Sequence, residues 1–509
     1  MIIVKDSVDV IVSLIAILAG LIALILKRRY EFWRRRNIPC YPRDRMFMAG
    51  HHKGVVYQQM YRELSPHPFG GFYSYSSPGF LVRDPDLIQR ILIKDFAFFR
   101  NRGIIYDEKL DPLLANLFHL DGDAWRNIRL KTVAAFSSGK IRKMFALLEN
   151  CASNLTNTID SRASANENVE IKELFSKFAL DVIGSCAFGL DCGALKDENS
   201  EFYRITRILF KPSNRFRVLK LLNSIDMRLN RYLVGIKTVA QECHDFFTEV
   251  IQSTIDDRVS GATKRTDFLQ HFINLRQDEG GNGRDKKAQP AGITLSNDEI
   301  AANSFVFFAA GFETISLTLT YCLLELSLNP EILNKVRKEM EGIERSHGGF
   351  TYEAIKQLSY TDMVISETLR KYPVLPVVER LCVESYTIPD TCTTIPPGVK
   401  IIIPTLGLHH DSNYFPNPEV FDPERFNDER RSTIQPGSYL PFGDGPRICI
   451  GMRFAQIEIK LALVQIIYHY NFRLVGDISL PVEVHPGSNM MTPKKKINMQ
   501  FTRRQETNL

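Results

Sequence analysis

The twelve residues from Phe442 to Arg453, FGDGPRICIGMR, constrain this chain more than any other stretch. Gly443 and Gly445 allow tight backbone turns, Pro446 fixes the direction of approach, and Gly451 lets the chain pass close to a flat surface. A helical pattern follows from about Ile450 to Tyr468. A thiolate at Cys449 therefore stands just ahead of a helix N-terminus, where backbone N–H groups stabilise negative charge. Arg447 adds a cation for an anionic ligand group. Such a loop can build an iron-thiolate site. A cysteine among glycines is more often structural, however, so the cysteine by itself leaves both readings open.

The remaining cysteines narrow the choice. There are nine in all, spread out, odd in number and without a CxxC pair. That is neither a disulfide framework nor a structural zinc site, and it fits a reducing compartment. A chain of 509 residues can bury a large core. Its formal charge of +6 is mild for this length and gives no reason to expect nucleic acid.

Val10 to Leu26 reads VIVSLIAILAGLIALIL, seventeen residues without a charge. As a helix it spans roughly 26 Å, close to the hydrocarbon thickness of a bilayer. Lys27, Arg28, Arg29, Arg34, Arg35 and Arg36 follow and stop the span. The positive flank predicts a short lumenal N-terminus and a cytosolic body. A cleaved signal peptide fits less well, since the leading residues are not basic and no small-residue cleavage site follows. Residues 1–36 are thus expected to form a membrane anchor and 37–509 a single catalytic domain. Pro39 and Pro42 break the helix between them.

From about position 86 the body reads as helices: Leu147 to Ser161, Ile171 to Phe188, Leu233 to Ile255, Asn297 to Leu328, Pro330 to Glu344 and Ile355 to Tyr372. Strands are expected at Gly71 to Val82, Tyr386 to Ile388, Val399 to Ile403 and Asn498 to Thr502. The fold class is mainly α with small β-sheet regions. Gln277 to Ile293, rich in Gly and charge, reads as a surface connection.

Phe442, Gly443, Gly445, Arg447, Cys449 and Gly451 together match the F-x-x-G-x-R-x-C-x-G signature, and here the chain resembles the cytochrome P450 superfamily. The resemblance runs from the N-terminal anchor to the C-terminus. It implies a helical fold round one buried haem b with Cys449 as axial thiolate. Four further motifs appear in the order the family requires. Glu367 and Arg370 form E-x-x-R on one helix face, and Arg425 lies in Pro423-Glu424-Arg425-Phe426. An exposed pair of this kind is common and worth little. The resemblance instead makes Glu367, Arg370 and Arg425 a buried triad supporting the cysteine loop.

Ala309 to Thr314 (AAGFET) interrupts an apolar helix with an acid and a hydroxyl. The threonine could simply bond back to a helix carbonyl. The resemblance gives it a catalytic role: Gly311 opens room over the haem, Thr314 hydrogen-bonds dioxygen, and Glu313 with water delivers protons for O–O cleavage. Trp125 and Arg129, an i, i+4 pair, then serve the haem propionates, together with Arg102, Arg380 and Arg447. Phe442 and Gly451 lie against the cofactor. The phrases Ser138-Gly139-Lys140, His409-His410-Asp411 and AGFET look most like the insect xenobiotic-metabolising branch, family six. Two departures stand out. The joint Ile38-Pro39-Cys40-Tyr41-Pro42 lacks the usual proline cluster, which questions its rigidity, and Ile315 replaces a small polar residue after Thr314.

Apolar pocket candidates are Phe305, Phe308 and Ala309, then Val374, Leu375 and Val377, then Ile104, Ile105, Phe118 and Leu120, and finally Met490 and Met491. Singly, each is as readily ordinary core. Phe210 to Leu222 mixes aromatics and bases and reads either as a membrane contact admitting lipophilic substrate or as a plain surface helix. The chain carries no flavin or NADPH motif, so the resemblance implies that O2 is used with electrons from an NADPH-dependent reductase, with cytochrome b5 as a further donor. Arg126, Lys131, Lys140, Arg142, Lys143 and Arg453 are docking candidates. The expected enzyme oxidises lipophilic small molecules at the endoplasmic reticulum membrane, facing the cytosol. A haem-thiolate isomerase, a peroxide-driven enzyme or a haem carrier would share the cysteine ligand, but the Glu313-Thr314 pair argues against all three.

Overall fold

A computed structural model describes residues 51–74, 77–211, 235–263, 265, 267–275 and 295–505, with 27–42 and seven positions between 13 and 24. Its principal helices are α1 (Lys53–Glu63), α2 (Gly122–Thr132), α3 (Ser138–Ser164), α4 (Ile171–Ile183), α5 (Glu201–Phe210), α6 (Gln241–Val259), α7 (Asn297–Leu328), α8 (Pro330–His347), α9 (Ser359–Lys371), α10 (Thr405–His409) and α11 (Met452–His469). The main strands are β1 (Phe69–Ser74), β2 (Ser77–Val82), β3 (Val169–Glu170), β4 (Val378–Leu381), β5 (Lys400–Ile403), β6 (Tyr470–Val475) and β7 (Asn498–Arg503). One sheet has the order β1-β2-β5-β4 and another the order β3-β7-β6.

The long helix α7 is the axis of the helical core. Ser296 and Glu299 close a reciprocal capping box at its start, and Asn329-Pro330 ends it. It is the one described helix long and apolar enough to cross a membrane, but 78% of its most apolar window is buried inside the protein, so it is core. Gly311 lies where α7 meets α4, and a Cβ there would stand 2.9 Å from Ile183 Cδ1. The glycine lets the two helices approach closely.

A second core lies under the first sheet. Trp33 is fully buried there, its Nε1 donating to the Phe72 carbonyl at 2.9 Å. Tyr41 N donates to Gly71 O (2.9 Å) and Gly71 N to Pro39 O (2.7 Å), so the joint pairs with β1 like an added strand. Backbone pairing thus fixes the joint without a proline cluster. Trp33, which lies in the expected 1–36 segment, packs into this core. The Val10–Leu26 run lies largely outside the described residues. Those described within it are helical, with Leu14, Ile17, Leu21 and Leu24 exposed. Residues 212–222 and 277–293, each part of an expectation above, also lie outside the described residues.

Several expectations about the elements differ from the structure, and the strand expected over Gly71–Val82 is the antiparallel pair β1 and β2. The helix expected over Ile355–Tyr372 is two, Tyr352–Lys356 and α9. The break comes from α8, whose Glu339 carboxylate accepts the Tyr360 and Thr361 N–H groups at 2.6 and 2.9 Å and caps a fresh helix start. The helix expected from Leu233 begins at Gln241, because the Asp111 carboxylate captures the Thr238 and Val239 N–H groups (2.8 and 3.1 Å) in an irregular segment. Strands β4 and β6 carry no strong alternation in the sequence and were not expected.

Candidate active site

The loop before α11 turns as its glycines require. Gly443 and Gly445 have φ of +71° and +69°, and a Cβ on Gly445 would lie 1.9 Å from the Leu92 carbonyl oxygen. Cys449 N donates to Phe442 O at 3.0 Å, closing the loop on itself. Burial pushes the Cys449 thiol above its ordinary value. The Gly451 and Met452 backbone groups at the start of α11, with the cations Arg129 and Arg102, pull it back down. Surrounded by protein in this way, Cys449 nevertheless keeps accessible surface. It therefore borders space that the chain leaves open, a cleft beside the start of α11.

Four arginines lie round that cleft. Arg447 is buried, with Nε donating to Arg100 O (2.8 Å) and Nη2 to Leu120 O (2.9 Å), and its guanidinium lies 4.2 Å over the Trp125 ring. Arg102 comes from the loop ahead of α2, donates to Phe118 O at 2.9 Å and stacks 4.3 Å over the Phe118 ring. Arg380 is buried on β4, and Arg129 extends from α2 one turn after Trp125. Burial, aided by Arg102 as a neighbouring cation, pushes Arg447 down to about 8 and Arg380 to about 9. Arg102 falls to about 10 through burial and Arg129. The carboxylate ion-paired with Arg447 is Asp121, at 3.5 Å. Two buried donors, Arg447 Nη1 and Arg380 Nε, have no hydrogen-bond partner among the described residues. Cations crowded together with idle donors are stable only when an anion joins them. The residues present fit a carboxylate-bearing cofactor whose metal takes one protein thiolate. Among the described residues no cluster of three or more His, Cys, Asp or Glu could hold a metal by itself.

In the middle of α7, Ala310 is exposed and Val306, Ala309, Gly311 and Thr314 are partly so, while the other residues from Ala302 to Leu326 are buried. The i, i+4 series 306, 310, 314 marks the stripe along which the core opens. Ala310, which the sequence did not single out, is the most open of these. Thr314 Oγ1 donates to Ala310 O at 2.7 Å, the back-bond to a helix carbonyl, leaving its oxygen lone pairs as acceptors. Glu313 points elsewhere: its carboxylate pairs with Lys172 on α4 at 3.0 Å and accepts from Thr492 at 3.4 Å. The structure does not place Glu313 and Thr314 on a common hydrogen bond.

The pocket candidates divide. Ile105, Phe118 and Leu375 are exposed, and Ile104, Leu120, Ala309 and Met490 partly so. Val374, Val377 and Met491 are buried, and Met491 N donates to Val374 O at 3.1 Å. Phe305 and Phe308 are buried too, and their rings pack on Phe247 at 5.2 and 4.7 Å.

Glu367, Arg370 and Arg425 come together in one buried cluster. Arg370 Nε and Nη2 donate to the two Glu367 oxygens at 2.7 and 2.8 Å, and Arg425 Nε lies 3.4 Å from Glu367 Oε1. Glu367 and Arg370 are fully buried and Arg425 nearly so.

A mainly helical fold that brings an accessible cysteine and a cluster of buried arginines together fits a haem-thiolate type of protein. The sequence matches the family model for Cytochrome P450 over residues 45–501. It is 34% identical over 511 residues to the probable cytochrome P450 6a14 of Drosophila melanogaster, covering 97% of this chain and 99% of the relative. It is 35% identical to cytochrome P450 6a2 of the same species (94% and 96% covered) and 33% identical to cytochrome P450 6j1 of Blattella germanica (94% and 95%). The chain belongs to the cytochrome P450 family, and its most similar relatives include members of the insect family six. It is an enzyme of the monooxygenase class, for which the family implies haem with a cysteine thiolate ligand.

Proposed function

We propose that the protein hydroxylates, epoxidises or dealkylates lipophilic small molecules, drawing electrons from an NADPH-dependent reductase at the endoplasmic reticulum membrane. The observation that carries this reading is the unpaired Arg447 Nη1 and Arg380 Nε beside the cleft that exposes Cys449. Cys449 would hold the haem iron, Arg102, Arg129, Arg380 and Arg447 would hold its propionates with Trp125 fixing the Arg447 plane, and Phe442 and Gly451 would contact the bound group. Haem so held supplies dioxygen activation, with the thiolate donating electron density that favours O–O cleavage.

The chain's own residues do the rest. Helix N–H groups and the nearby cations favour the Cys449 thiolate. Thr314 accepts and passes a proton at Oγ1. For Glu313 to supply that proton it must leave Lys172, so the ion pair sets how readily it does. Ile105, Phe118, Leu120, Leu375 and Met490 offer an apolar lining for substrate, and Met adapts to varied shapes. The 1–36 segment tethers the body. The exposed Arg126, Lys140, Arg142, Lys143 and Arg453, with the half-buried Lys131, offer a basic face to reductase or cytochrome b5. Processing of xenobiotics is the physiological role that this pocket and the insect family-six relatives support.

A carbon monoxide difference spectrum of the reduced protein tests the reading. A thiolate-type Soret band is expected, lost in Cys449→Ser; a band unchanged in that variant would overturn it.

A further inference from the structure

The triad does not touch the cysteine loop. The Arg370 and Arg425 side chains donate to the carbonyls of His409, Pro418 and Asn417 at 2.8, 2.7 and 2.9 Å, and the Asp422 N–H donates to Glu367 at 2.9 Å. All of these belong to residues 409–422. A connection towards the loop runs through the side chain of His409. His409 closes α10 and is fully buried. Its Nε2 lies 2.9 Å from the Leu440 N–H, and its Nδ1 lies 3.1 Å from the Arg370 carbonyl oxygen.

These partners fix the tautomer. Leu440 N–H can only donate, so Nε2 accepts; the Arg370 carbonyl can only accept, so Nδ1 carries the proton. The ring is thus a neutral bridge between a backbone donor and a backbone acceptor. Arg370 answers with its own donation to the His409 carbonyl, so the two residues are bonded in both directions. Tyr439 stacks on the His409 ring at 5.2 Å and donates to Ser366 O on α9 at 2.8 Å, holding the same segment. Leu440 lies two residues ahead of Phe442, whose carbonyl takes the Cys449 N–H at 3.0 Å.

We propose that His409 is the positioning residue through which the Glu367–Arg370 pair sets the Phe442–Cys449 turn, and so the seat of the axial thiolate. This rests on the haem-thiolate reading above. The mechanism is geometric: with Nε2 removed, the buried Leu440 N–H loses its acceptor, and Phe442 and its bond to Cys449 shift.

Three full-length holoprotein variants test it, with the reduced carbon monoxide spectrum and haem content per chain as readouts. His409→Gln can place an acceptor where Nε2 stands. His409→Asn can keep the donor to Arg370 but cannot reach Leu440. His409→Phe keeps the ring and neither bond. The ratio of thiolate-type to thiol-type Soret band is expected to fall roughly fivefold in Phe and Asn at similar haem content, and to recover most of the way in Gln. If Phe fails to bind haem, the Gln–Asn pair decides alone. Equal ratios in Asn and Gln, or a wild-type ratio in Phe, would overturn the proposal. A wild-type protein with no thiolate-type band would instead overturn the haem-thiolate reading.

Discussion

The guanidinium of Arg447 lies 4.2 Å over the Trp125 ring, while its Nη1 is buried without a hydrogen-bond partner. The stack and two backbone carbonyls fix the plane, and the spare nitrogen is left for an anion. A lysine cannot copy a planar fork. Arg447→Lys should therefore speed haem loss to an apo-globin acceptor by about tenfold or more, the loss of one charge-assisted hydrogen bond. The Soret position should stay thiolate-type because Cys449 is untouched. A rate of haem loss equal to wild type would remove Arg447 from the propionate set.

Thr314 uses its proton on Ala310 O. Thr314→Ala should leave haem content and the carbon monoxide spectrum nearly unchanged, yet release more peroxide per NADPH consumed in a reductase-coupled assay. An unchanged yield would take Thr314 out of proton transfer.

Gly311 can be tested as a helix contact. Gly311→Ala puts a methyl against Ile183 and should cost about 1–3 kcal/mol in chemical denaturation, as overpacking does. Ile183→Ala clears the atoms in the way, so the double variant should recover part of the loss relative to adding the single effects. Strict additivity would show that the two positions are not in conflict.

Glu458 on α11 is buried, with Oε1 unpartnered, and burial pushes its carboxyl well above the ordinary carboxylate range. In the unfolded chain it ionises near 4.5. The native state then holds the extra proton, so the stability it contributes is full below that value and is lost as pH rises towards the native one. Glu458→Gln has no proton to lose. Relative to wild type it should gain stability as pH rises above about 4.5, by up to about 1.4 kcal/mol per pH unit. Parallel stability curves for the two proteins would show that Glu458 is ionised in the fold.

Helix α7 was legible to the residue, because its capping box and the Asn329-Pro330 stop are local. The break before α9 was not, because the carboxylate that caps it belongs to α8. Periodicity likewise told that Phe305 and Phe308 lie on an apolar helix. Which side of that helix faces the cleft depends on the helices packed against the other sides, and these rings went to the core.

The chemistry of the site was written in the sequence, since Cys449, Arg447, Glu367 and Arg370 stand in short motifs whose spacing is set by one turn or one helix. What only the tertiary structure decided is how those motifs reach one another. Arg102, Arg380 and Arg447 come from widely separated segments, and their shared field exists only once the chain has folded. His409 joins Arg370 to Leu440 by two hydrogen bonds across 31 and 39 residues of chain. A motif records the residues that chemistry requires in order along the chain; packing alone determines which distant backbone groups a buried side chain must satisfy.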